Sequence, residues 1–165
     1  MEQTEIAEFF NLLVSDCCKA AALWDEFDDD FSKRSYVRTV FAFIEGNTYR
    51  LKQICLLIHS HKIYGLTEKQ IHKVLEVKKD GKKVIVPTTE NIELSFELYS
   101  EMFNVENPLD TRGQDWLNLK LALEVRHRLT HPKSVEDLML SSEDMAIVGL
   151  ACNYYREATC KLIGA

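Results

Sequence analysis

The 165-residue chain has no run of about 18 or more apolar residues, which excludes a membrane-spanning helix from its expected architecture. Its opening, M-E-Q-T-E-I, has neither the basic start nor the apolar stretch of a secretory signal, so the expected location is cytoplasmic. There is no C-x-x-C and no Cys/His spacing suited to zinc, and the cysteine count is odd: Cys17, Cys18, Cys55, Cys152 and Cys160. A disulfide framework and a zinc site are both unexpected on that ground. Thiols on apolar helical faces act as small hydrophobes in a reducing compartment. Internal repeats and low-complexity tracts are also missing. Nor is there an excess of basic charge. The formal net charge of −6 argues against nonspecific binding to bulk DNA or RNA, although it leaves room for a local basic site. What remains is one domain over residues 1–165, long enough to bury its own core.

What is present is helical periodicity. Ile6, Phe9, Phe10, Leu13, Val14, Cys17, Ala21 and Trp24 recur at steps of three and four, predicting an amphipathic helix over 4–25 with Thr4 as N-cap. Ser32 opens a second helix running to about His61, with Val37, Val40, Phe41, Ile44, Thr48, Leu51, Cys55 and Ile58 as its core stripe. Gly46 lies inside it at a cost of about 1 kcal/mol relative to Ala, as a glycine serving close helix packing would. The acidic run D-E-F-D-D-D at 25–30 reads as a solvated loop between these helices rather than a metal site. A short helix over 67–75 starts at Thr67. Three more follow: 90–104, carrying Ile92, Phe96, Tyr99 and Phe103; 112–130, carrying Trp116, Leu117, Leu121, Val125 and Leu129; and 142–163, carrying Met145, Val148, Cys152, Tyr155, Thr159 and Leu162. These Met and aromatic stripes are core and imply no cofactor.

Between the short helix and the next lies V-L-E-V-K-K-D-G-K-K-V-I-V-P. Asp80-Gly81 between two strand-prone arms predicts a β-hairpin over about 74–87, turning through two residues of positive φ and ending at Pro87. The fold class is therefore all-α: an up-down bundle of four main helices plus one shorter helix, with a small β-hairpin insertion. Lys78, Lys79, Lys82 and Lys83 flank the turn. They are either solvated charges that discourage edge pairing or contacts to RNA phosphates. His59 and His61 point apart as i and i+2, and His72 is a surface position, so none of them suggests a metal site.

The chemistry-bearing stretch is E-V-R-H-R-L-T-H-P, Glu124 to Pro132, at the end of a helix. Arg126 and His131 are separated by about 7 Å along the axis, and Pro132 turns the backbone away just beyond them. A permanent cation beside a group titrating near neutrality suits RNA phosphodiester cleavage. Arginine grips the phosphate through its fork of donors, and histidine moves the proton of the 2′-hydroxyl or the 5′-oxygen. The plainer reading is also open: cations in a last helical turn are favoured by about 0.3–1 kcal/mol for local reasons alone.

The segment A-L-E-V-R-H-R-L-T-H-P resembles the R-x4–6-H signature of HEPN domains, an all-α family. His127 stands where that signature usually has Asn, Asp or His. The motif falls at the end of the penultimate core helix, as in the family, and S-Y-V-R-T-V-F-A-F-I-E-G-N-T-Y-R-L-K-Q resembles the long second helix of bacterial HEPN-like proteins. The likeness covers roughly 5–60 and 90–163 and leaves out the hairpin. It implies a metal-independent endoribonuclease of toxin–antitoxin or antiviral type, without cofactor. The enzyme would be a homodimer whose two motifs face one cleft and whose product is a 2′,3′-cyclic phosphate. An antitoxin protein would be a further partner. Carried over, Arg126 holds the phosphate, His131 is the acid/base and His127 the auxiliary polar residue. Glu45 either orients Arg126 or is an ordinary face position. Pro132, Lys133 and Ser134 stand where related toxins carry a modifiable tyrosine, which speaks against that route of neutralisation. The alternative is a catalytically silent HEPN-like module that binds nucleotide, RNA or a partner protein.

Overall fold

The computed structural model describes residues 3–77 and 80–164. Six α-helices follow one another: α1 (Gln3–Phe27), α2 (Asp30–Ser60), α3 (Glu68–Val74), α4 (Thr88–Phe103), α5 (Gln114–Thr130) and α6 (Ser142–Ile163), with a 3₁₀ turn at Glu136–Leu138 before the last. Five of them are 16 residues or longer, one more than the expected four. Among the described residues none is long and apolar enough to cross a membrane. α2, about 46 Å long, is the axis of the fold and touches every other helix; α5 and α6 pack along each other.

The helix starts follow from side chains that satisfy otherwise unpaired N–H groups. Asp29 caps α2 by accepting from Ser32 N at 2.6 Å, so the acidic run is not a loop: 25–27 finish α1, and Asp29 and Asp30 open α2. Ser32 thus lies inside the first turn. Thr67 and Gln70 form a reciprocal capping box on α3. Ser141 caps α6: its hydroxyl accepts from Asp144 N, while Asp144 accepts from Ser141 N at 2.8 Å. Thr4 lies within α1 rather than ahead of it.

All of the expected α6 stripe is buried, as are Val37 through Cys55 of the α2 stripe. α5 departs. Its core side is Trp116, Leu119, Ala122, Val125 and Leu129, whereas Leu117 and Leu121 are 48% and 43% exposed. Leucines at 117, 119, 121 and 123 put apolar groups on more than one face, so periodicity alone does not select the buried one. Where α6 crosses α2, polar groups meet in the core. Asn47 Nδ2 donates to Tyr155 Oη (3.2 Å) and Thr159 Oγ1 (3.3 Å), and Thr48 shares a 2.8 Å hydrogen bond with Tyr155. Burial pushes the Tyr155 hydroxyl up to about 12, against the pull of these bonds.

The expected hairpin is not seen among the described residues. Among the described residues there is no strand, only an isolated antiparallel bridge between Val77 and Lys83. α3 takes Val74 and the turn after it takes Leu75 and Glu76, so the opening residues of the expected first arm belong to helix and turn. Glu76 itself is left-handed at φ 55°, and Gly81 at φ 78°. Asp80 instead accepts from Lys82 N through its side chain, so the two-residue turn of the expectation is replaced by a wider one. Gly46 also serves less than expected. A Cβ there would meet Leu13 Cδ1 at 3.4 Å and Phe9 Cζ at 3.8 Å, ordinary contact rather than a clash.

Candidate functional site

The last two turns of α5 carry two arginines, each drawn to a carboxylate on a different helix. Arg126 Nη2 lies 2.7 Å from Glu45 Oε1 of α2; the Arg126 side chain is 31% exposed and that of Glu45 39%. The approach lacks hydrogen-bond geometry, leaving Glu45 Oε1 buried with only this charge contact. Such a pair contributes about 0–1 kcal/mol to stability. Its effect is therefore on where the guanidinium points. Arg128 Nη2 pairs with Asp144 of α6. Burial tends to raise the Asp144 carboxyl, but Ser141 N–H, the Arg128 guanidinium and the Ser141 hydroxyl outweigh it and hold the group below its ordinary value.

Two histidines stand one turn apart at the same helix end. His127 and His131 are exposed, with ring centroids 5.2 Å apart and planes tilted by 58°. His131 terminates α5 with its N–H on His127 O, at 3.0 Å. His127 and Arg126 line one opening of about 440 Å³ with Lys120, Glu124 and residues 87–89. Arg126 also lines a second, of about 280 Å³, with Glu45, Thr48, Lys52, Glu76, Thr88 and Asn91. His131 lines neither. The structure thus joins Arg126 to Glu45, and His127 to both Arg126 and His131, without setting His131 directly beside Arg126.

The second opening holds a group that periodicity does not flag. Lys52 is 3% exposed, and its Nζ donates to Glu76 Oε1 (2.6 Å) and Asn91 Oδ1 (2.9 Å). The signal was its spacing: Glu45, Thr48 and Lys52 fall at i, i+3 and i+7, on one face of α2. Glu76 lines the second opening and Pro87 the first, so both ends of the segment between α3 and α4 reach the Arg126 openings. Lys82 is exposed and pairs with Asp80 at 3.2 Å, and Lys83 is exposed; Lys78 and Lys79 lie outside the described residues. His59 Nδ1 accepts from Leu66 N at 3.0 Å, closing the end of α2. Among the described residues no three His, Cys, Asp or Glu side chains converge as a metal site requires. No family model, curated protein or solved structure matches the chain.

Proposed function

We propose that the chain is a HEPN-like, metal-independent endoribonuclease of toxin–antitoxin or antiviral type, with α1, α2, α5 and α6 as the four main helices of its bundle. The observation that carries the reading is Arg126 held by Glu45 at the rim of an opening it shares with His127. Glu45 engages one end of the guanidinium, which leaves the remaining N–H donors of the fork for the nonbridging oxygens of a phosphate. A histidine then takes the 2′-hydroxyl proton as that oxygen attacks phosphorus. The 5′-oxygen leaves with a proton, and a 2′,3′-cyclic phosphate remains. His131 is the acid/base and His127 supports it across their 5.2 Å ring contact.

The site would be completed by a second copy of the chain, whose motif faces this one. Leu117 and Leu121, exposed one turn apart on the motif helix, are the apolar surface such a homodimer would cover. RNA, approached by Lys82 and Lys83, would be the substrate, and an antitoxin protein a further partner. One observation favours the silent-module alternative: His131 lines neither opening at Arg126. Cleavage of a broad RNA panel by wild type, His131→Ala and Arg126→Ala, each with and without chelator, separates the two. Cleavage by wild type alone, unaffected by chelator, is the expected result. Cleavage that persists without His131, or that stops with chelator, removes the proposed site, and an inert wild type leaves the binding module.

A further inference from the structure

Away from the arginine and histidine motif, two helices bring thiols to one place against a third. Cys17 of α1 and Cys152 of α6 are 6% and 9% exposed, and both line an opening of about 150 Å³ against Tyr36 of α2. The exposed Cys18 and Arg156 stand at its rim. The Cys17 thiol donates to Thr39 O at 3.7 Å, and both sulfurs belong to the wall of the same opening. Aliphatic side chains would fill this space as well as two thiols do. Two thiols on one opening beside a guanidinium are the arrangement that oxidation chemistry uses.

We propose that Cys17 and Cys152 are a reversible dithiol pair that hydroperoxides close to a disulfide, tying α1 to α6. Cys152 is the attacking sulfur. The neighbouring Cys17 thiol favours its thiolate, burial opposes this, and the Arg156 charge adds to the first, so that the net direction is down; Cys17 correspondingly keeps its proton. The Cys152 thiolate attacks one peroxide oxygen, the O–O bond breaks, and the departing hydroxide takes a proton to leave as water. Cys152 is then a sulfenic acid. Cys17 sulfur attacks the sulfenic sulfur, the S–O bond breaks, and the hydroxide leaves with the Cys17 proton as a second water. Two thiols lose two electrons and one peroxide gains them. The opening admits a molecule of this size, since a water takes up about 30 Å³ of liquid. Cys18 does not compete as resolving thiol: neighbouring side chains on a helix diverge by about 100°. Cys55, with its thiol pushed up to about 12 by burial, stays inert.

This inference is independent of the ribonuclease reading. The folded protein is treated with hydrogen peroxide, alkylated, digested without reductant and mapped by mass spectrometry. The expected product is a Cys17–Cys152 peptide pair, lighter by two hydrogens, that dithiothreitol reverses. Thermal melting of the oxidised protein should rise by roughly 5–10 °C, because the link constrains most of the unfolded chain. Cys18→Ser should not change the map, and Arg156→Gln should slow thiol loss by about 3-fold or more. Cys152→Ser should abolish it, and because the wild-type map needs no variant, a misfolded mutant does not blunt the test. A bridge through Cys18 or Cys160, stable over-oxidation of Cys152 without a bridge, or thiols that survive peroxide in the folded protein would overturn the proposal.

Discussion

Removing the Glu76 carboxylate should damage the fold more than removing the lysine it serves. The Lys52 ammonium is buried, with Glu76 Oε1 at 2.6 Å and Asn91 Oδ1 at 2.9 Å, while the Glu76 side chain is 41% exposed. Truncating one partner of a buried pair costs about 3–5 kcal/mol, because the other charge is stranded. Water reaches this pair from the Glu76 side and recovers part of that, so Glu76→Ala should cost about 2–3 kcal/mol. Lys52→Met lets a lone Glu76 swing into water and leaves only the half-buried Asn91 Oδ1 without its donor, so it should cost about 1 kcal/mol. The backbone adds a second contrast. Glu76 sits at φ 55°, a conformation that costs about 1 kcal/mol for a side-chain-bearing residue and little for glycine. Glu76→Gly should therefore be milder than Glu76→Ala by about 1 kcal/mol, despite losing the same carboxylate. Urea unfolding followed by far-UV circular dichroism measures all three. The reasoning fails if Glu76→Ala is no worse than Lys52→Met, or if the glycine and alanine variants coincide.

Gly46→Ala should raise stability by about 1 kcal/mol, through helix propensity and an ordinary contact with Leu13 and Phe9; a lower melting temperature would show that α1 has no room for the methyl. The depressed Asp144 carboxyl stabilises the fold above its unfolded pKa and gives that up as pH falls through its folded value. The melting gap between wild type and Asp144→Asn should accordingly be full at neutral pH and close below about pH 4. A gap unchanged by acid would mean that the Arg128 and Ser141 contacts do not hold the charge. Leu117→Asp with Leu121→Asp should convert a dimer to monomer in light scattering at tens of micromolar, with helicity retained because both sites are exposed. A wild type already monomeric there removes the shared cleft.

Helix identity was legible wherever one stripe dominated, as in α6, where every expected core residue is buried. It blurred in α5, whose alternating leucines satisfy more than one face, and the choice is made by what α2 and α6 offer it. Asp80-Gly81 was legible as a turn, but its strand arms were not, because α3 and the left-handed Glu76 claim residues that an isolated local pattern assigns to a strand. At the candidate site, the Glu45–Arg126 meeting was one of two readings, and long-range packing of α2 on α5 selects it. Lys52 had only its spacing to mark it, for the converse reason. A lysine is ordinarily read as solvated, and its partners Glu76 and Asn91 are 24 and 39 positions away.

The polar cluster of Asn47, Thr48, Tyr155 and Thr159 has a consequence for how many ways the helices could be assembled. Aliphatic stripes slide past one another at little cost, since a leucine fits most gaps that a leucine left. Three directional bonds do not. Shifting α6 along α2 by one residue rotates its face by about 100° and moves it about 1.5 Å, carrying the Tyr155 hydroxyl away from Asn47 and Thr48 at once. Each stranded group inside the core then costs about 1–3 kcal/mol. The cluster is a registration mark: it discriminates one alignment of α2 and α6 from its neighbours. Cys152, Arg156 and the Asp144 partner of Arg128 all ride on α6, so the same mark sets the position of every contact they make with the rest of the molecule.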